Sequence, residues 1–150
     1  MTGSKGGRAG KSLHLIARST EDAEVISALL QDAFLTRADM RLDRPRRRFA
    51  ALVDRIRWED AGTVEQEPHP GQRVRSLLTI EDVQVARTRA FEGLKQGDIL
   101  SVLTLFWQPT EDGMGVLILH LSDERAVALD VEALEIRLED VAEPQDAAHT

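Results

Sequence analysis

The sequence predicts an α+β domain: a mainly antiparallel sheet of about six or seven strands with one amphipathic helix near the N-terminus. Three observations carry this. Residues 99–121, ILSVLTLFWQPTEDGMGVLILHL, hold two apolar runs joined by a polar, glycine-bearing turn, the pattern of a β-hairpin. Val25, Ile26, Leu29, Leu30, Ala33 and Phe34 recur at three- and four-residue spacing, which makes one stripe of a helix. Around residues 38–42 and 49–56 the apolar positions instead return every second residue, the period of a strand. A sheet must bury an apolar face against another layer, and the helix supplies one. A partly closed β-barrel with a helix is the alternative arrangement.

The elements follow in chain order. Residues 1–11 carry Gly3, Gly6, Gly7 and Gly10 among polar neighbours and are expected to form a flexible tail; 12–141 form a single domain and 142–150 a polar tail. Leu13 to Ala17 reads as a short strand running into Ser19-Thr20-Glu21-Asp22, a helix start with a capping hydroxyl and acids in the first turn. From Leu35, Ala38, Met40 and Leu42 face one way and alternating charges the other. Arg44-Pro45-Arg46-Arg47-Arg48 turns the chain and Phe49 to Trp58 returns, a first hairpin. Glu59 to Gln72, with Gly62, Pro68, Pro70 and Gly71, is the one long loop. Val74 to Phe91 is β-like, with a slip in register at Glu81-Asp82 that a bulge or a short break would produce. After the central hairpin, Ala126 to Asp130 is strand-like. Residues 131–141 suit either a strand with a bulge, the reading adopted, or a helix capped by Asp130.

In the central hairpin both faces are apolar. Ile99, Ser101, Leu103, Leu105 and Trp107 alternate with Leu100, Val102, Thr104 and Phe106, while Val116, Ile118 and His120 alternate with Leu117, Leu119 and Leu121. Each Leu, Ile or Phe fully removed from water is worth roughly 1.5–3 kcal/mol, so each face calls for a cover. One helix of about fifteen residues, roughly 22 Å long, does not cover both. Self-association, most simply a homodimer, is the expected outcome, with a further protein partner as an extension of the same surface chemistry.

The net charge of −7 is unevenly distributed. Residues 1–57 hold 12 Lys or Arg against 7 Asp or Glu, and residues 58–150 hold 7 against 19. The acidic total argues against general nucleic-acid binding without forbidding a local basic patch, and the six aromatics, all Trp or Phe, lie mostly in apolar runs and not on a stacking face. With no cysteine, thiol catalysis, cysteine zinc sites and a secreted disulfide framework are excluded, and a cytoplasmic location is expected. No apolar run approaches the length that spans a bilayer, so no membrane role is expected.

Among residues with chemistry to offer, the arginine turn is the sharpest feature. Arg44, Arg46, Arg47 and Arg48 are the candidate binding residues, because guanidinium forks take phosphates and carboxylates bidentately. Trp58 and Trp107, both at strand ends, are candidate interface anchors, although such residues also close the ends of a core. His14, His69, His120 and His149 show no metal-ligand spacing, and neither Ser101 nor Ser122 sits in a nucleophile motif. No catalytic set, metal or cofactor is expected. Function is therefore read as that of a non-enzymatic interaction or adaptor protein that self-associates. A binder of phosphorylated or carboxylated metabolites, or an enzyme with an arginine-lined site, is the alternative.

One resemblance spans most of the chain. LHLIARSTEDAEVISALLQDA, then RRRFAALVDRIRWED, then AVALDVEALEIRLEDV, in this order over about residues 13–141, resemble the alphaproteobacterial family known as domain of unknown function 2948. That resemblance implies a small cytoplasmic bacterial protein without an assigned activity, and it brings no active-site residues with it.

Overall fold

The computed structural model of the chain describes residues 12–60 and 72–141; both expected tails, His69, His149 and most of the expected long loop lie outside them. The described elements are β1 (His14–Ala17), α1 (Thr20–Leu30), β2 (Phe34–Thr36), β3 (Met40–Asp43), β4 (Arg48–Ile56), β5 (Arg73–Ile80), β6 (Val83–Arg89), β7 (Ile99–Pro109), β8 (Gly115–Leu121), β9 (Arg125–Val131) and β10 (Ile136–Asp140). The strands form one open antiparallel sheet in the order β1-β10-β5-β4-β2-β7-β8-β9-β6, with β3 paired to β4 beside β2.

Mainly antiparallel pairing with a single described α-helix agrees with expectation, but ten described strands replace the expected six or seven. Two of the expected strand segments are divided by a local conformation, the second of them at the slip in register that Glu81-Asp82 shows in the sequence, and the stretch from 131 onward adds a strand of its own. The segment from Leu35 to Leu42 is broken by a 3-10 turn at Arg37–Asp39, where the Asp39 carboxylate accepts from Thr36 N–H at 2.8 Å. Asp82 takes a left-handed conformation, φ 58°, and separates β5 from β6. Residues 132–135 separate β9 from β10, so the ambiguous stretch from 131 onward ends in a strand and not a helix.

Helix α1 begins as expected, with Ser19 Oγ accepting from Asp22 N–H at 3.1 Å. It ends after 11 residues, about one turn short of the expected fifteen. Asp32 turns left-handed, φ 66°, and the chain leaves the helix to bond to β7: Asp32 N–H to Val102 O at 2.9 Å, and Val102 N–H to Ala33 O at 2.8 Å. Ala23, Ile26, Leu29 and Leu30 form its buried stripe, whereas Val25 points to solvent and Phe34 lies in β2.

The sheet has to coil. Strands β5 and β6 stand six positions apart in the sheet order, about 29 Å if the sheet were flat. Ile80 and Val83 are only three residues apart, at most about 11 Å of chain. The sheet therefore wraps until its last strand returns beside β5 and the β3–β4 turn, where Val83 N–H donates to Arg47 O at 2.9 Å. Inner faces of both halves then share one core, with Leu78, Ile80, Ile136 and Leu138 from one half and Leu117, Leu119, Leu121 and Leu129 from the other. Strands β3 and β6 face each other across the remaining gap, each paired only on its other side.

The central hairpin departs from simple alternation. A bulge between Val102 and Thr104 shifts the phase of β7. As a result Leu105 and Trp107 turn inward with Leu100 and Val102, and Thr104 and Phe106 turn outward, the reverse of the uninterrupted pattern. The Trp107 ring lies over Gly115, where an added Cβ would stand 2.5 Å from Cη2 of the indole.

Candidate functional site

The most deeply buried polar group arises from the strand period itself. Arg55 is in phase with Phe49, Ala51 and Val53 on the inner face of β4, Ser76 with Leu78 and Ile80 on β5, and Asp140 with Ile136 and Leu138 on β10. Registers place Ser76 opposite both Val53 and Asp140, so these polar residues close one end of the core as a layer. The Arg55 side chain is 0% exposed and that of Asp140 4%. Arg55 Nε donates to Ser76 Oγ at 2.9 Å, Nη1 to Glu59 Oε1 at 2.8 Å and to Ile56 O at 3.2 Å, and Nη2 to Glu59 Oε2 at 2.9 Å and Asp140 Oδ1 at 3.0 Å. That uses all five guanidinium protons. Asp140 also accepts from Ser76 Oγ at 2.7 Å and Leu13 N–H at 2.9 Å, and Arg57 stands 3.6 Å from its second oxygen.

Burial by itself pushes the Asp140 carboxyl up, but the Leu13 N–H, the Ser76 hydroxyl and Arg55 outweigh it and hold the group below its ordinary 3.8. Glu59 behaves alike: burial raises it, and bonds from Arg55 and the backbone bring it below 4.5. Both carboxylates are ionised and each accepts hydrogen bonds on its charged oxygens, an arrangement that fixes structure. A carboxylate depressed on folding contributes stability that is complete above its unfolded pKa and is lost as pH falls through the folded one. The melting temperature is therefore expected to hold from pH 7 to about 5 and to fall steeply below about pH 4. The Asp140→Asn variant should show a shallower acid decline by circular dichroism. Equal declines in both proteins would contradict the assignment.

The arginine turn is placed at the tip of the β3–β4 hairpin, and most of it is already engaged. Arg46 pairs with Asp43 at 3.1 Å and, mainly through its side-chain hydrogen bond, holds that carboxyl below its usual range. Arg47 pairs with Glu132, and Arg48 with Glu81 at 3.0 Å. Arg18, Arg47, Arg48, Arg55 and Arg57 each bond a carboxylate from residue 58 onward, so the uneven charge of the sequence is offset largely within one chain. Arg44 is the exception. Its side chain makes no ion pair or hydrogen bond among the described residues, and neither does that of Arg41. Both border the gap between β3 and β6, a groove of about 330 Å³ whose mouth also holds Arg37.

Both candidate tryptophans serve the chain itself. Trp58 is half-buried against the core and its indole N–H donates to Gln31 O at 3.0 Å; Trp107 packs over Gly115. His14 pairs with Glu139 on the β1 edge, and His120 stands on β8 in the other half of the sheet, so the two histidines do not converge. Ser122 Oγ accepts from Ser101 N–H at 3.1 Å.

Exposed apolar residues gather instead on the outer face of the coiled sheet. Directly opposed residues of neighbouring strands share a face, which sets Phe106, Ile118, Ala128 and Arg87 in one row. Gln108, Val116, Asp130 and Val85 form the next. Phe106 is 53% exposed and Leu103, at the bulge, 47%. At the end of β7 Ile99 is 72% exposed. Arg87 and Asp130 form a bidentate pair at 2.8 and 2.9 Å, which neutralises the only charges in these two rows.

Residues 13–150 match the model of a family described as Protein of unknown function (DUF2948). The chain belongs to this family. No curated protein and no solved structure matches it. Within DUF2948, then, the side chains of this fold are what a functional reading has to rest on. No helix of the described residues is long and apolar enough to cross a membrane.

Proposed function

We propose that this DUF2948 chain is a non-enzymatic interaction protein, working as a homodimer whose copies meet through the outer face of β6, β7, β8 and β9. One observation carries the reading: Phe106 stands 53% exposed at the β7 end of a row with Ile118 and Ala128, although helix α1 reaches the same strand one residue earlier, where Ser27 Oγ accepts from Leu105 N–H at 3.0 Å. Aromatic and aliphatic side chains clustered on an otherwise charged surface mark an interaction site. A second copy suits the face because the Arg87–Asp130 pair leaves its two rows without net charge, although the chain as a whole carries −7. Copies of these two rows meet without opposing unpaired charges. The cytoplasm is the setting we favour, on the strength of a cysteine-free sequence, and an adaptor role would draw a further protein to the dimer.

Phe106→Glu tests it. Burying one phenylalanine is worth roughly 1.5–3 kcal/mol, and a two-fold interface uses it twice, so association should weaken by about a hundredfold or more. Sedimentation velocity at micromolar concentration should show a dimer for the native chain and a monomer for the variant. A native monomer at that concentration, or a variant that remains dimeric, would sink the proposal.

A further inference from the structure

We infer that the groove between β3 and β6 is a binding site for a small anion with an apolar body, such as an alkyl or aryl chain ending in a phosphate or carboxylate. This goes beyond the dimer face, which lies on a different surface of the sheet. The groove exists because the coiled sheet stops short of closing: β3 pairs as a strand only with β4 and β6 only with β9, so beyond the Val83–Arg47 bond two strand edges face one another with a space between them. Its floor is apolar, from Met40, Leu42 and Phe49 on the β3–β4 side and Ala86 and Phe91 on the other. Its volume of about 330 Å³ falls at the lower end of the range for small-molecule sites, roughly 300–1,000 Å³.

Charge decides the class of ligand. Three arginines line this groove and no carboxylate does. Arg37 is held in place, donating to Leu94 O at 2.7 Å and stacked 5.6 Å over the Phe91 ring. Arg41 and Arg44 are not held: like the exposed Arg75 and Arg89, neither side chain bonds any described residue, whereas Arg46, Arg47, Arg48, Arg55, Arg57, Arg87 and Arg137 pair with carboxylates. Toward the β3–β4 turn the groove continues into a second space of about 360 Å³ that Arg44 also borders; the carboxylate there, Glu132, is already taken by Arg47 and Gln84. Planar guanidinium forks along the β3 side of the groove offer an oxyanion bidentate bonds at any physiological pH, and the apolar lining accepts the chain that carries it.

The test uses the full chain and three probes followed by amide chemical shifts: hexyl phosphate, inorganic phosphate and hexanol. Hexyl phosphate should saturate and shift the amides of 40–44 and 86–91, and both single-featured probes should bind at least tenfold more weakly. Arg41→Gln with Arg44→Gln should weaken hexyl phosphate by at least tenfold while leaving the melting temperature unchanged, since neither side chain supports the fold. Shifts confined to the Phe106 face, no shifts at all, or equal affinity in the double variant would overturn the site. Binding of the chain to vesicles containing phosphatidic acid, lost in the same variant, would overturn the assignment to a free ligand. A native monomer that still binds hexyl phosphate in the groove would refute the dimer proposal and leave this one standing.

Discussion

Replacing Arg55 by methionine is expected to cost about 3–5 kcal/mol of unfolding free energy, the largest effect of any single polar substitution in this chain. The reason is what the change leaves behind. Asp140 and Glu59 would remain in their places with the partner of both removed, and Asp140 is only 4% exposed. A buried pair adds little over a well-packed apolar replacement, but breaking one side of it strands a charge out of water. The triple change Arg55→Met, Asp140→Leu and Glu59→Gln should therefore recover most of the loss. Urea denaturation measures both, with the midpoint falling in the single variant and returning in the triple one. A single variant within 1 kcal/mol of the native chain would show that water, and not Arg55, compensates these carboxylates.

Leu105→Ala should cost about 2–5 kcal/mol, while Phe106→Ala, one residue further along β7, should leave the stability of the isolated chain within about 1 kcal/mol. Leu105 is 3% exposed inside the shared core, and its truncation leaves a cavity the neighbours fill only in part. Phe106 faces outward. If it packs against a second copy, its loss appears as a melting temperature that stops rising with protein concentration, because association stabilises the folded state by mass action. Thermal melts across a hundredfold range of concentration separate the two behaviours. A loss at Phe106 as large as at Leu105 at every concentration would place the ring in the core of its own chain.

The contrast between these neighbours shows where the sequence is legible and where it is not. Which face of 116–121 is buried is open in the sequence, since both are apolar, but its strand identity follows from the sequence, as does the cap of α1 at Ser19. The inward turn of Leu105 does not, because a bulge adds one residue without changing composition, and both phases of ILSVLTLFW are apolar. Arg55 had a signal that the reading missed: it continues the series Phe49, Ala51, Val53 onto the core side of β4, where a charge needs a partner. The partners are Ser76, 21 positions away, and Asp140, 85 away, so only the registers of β5 and β10 reveal the network. The arginine turn was visible as a cluster, but which arginine is free depends on acids brought in from Glu81 and Glu132. The groove is less legible still. Arg37, Arg41 and Arg44 meet Ala86 and Phe91 only because the two-residue link after β5 forces the sheet to coil.

Isotope-filtered NOE spectroscopy on an equal mixture of labelled and unlabelled chain tests the dimer face most directly. The account predicts cross-peaks between chains from the Phe106 ring to the methyl groups of Val85, Val116 or Ile118. Interchain contacts confined to another surface, or none at concentrations where the protein sediments as a dimer, would contradict it.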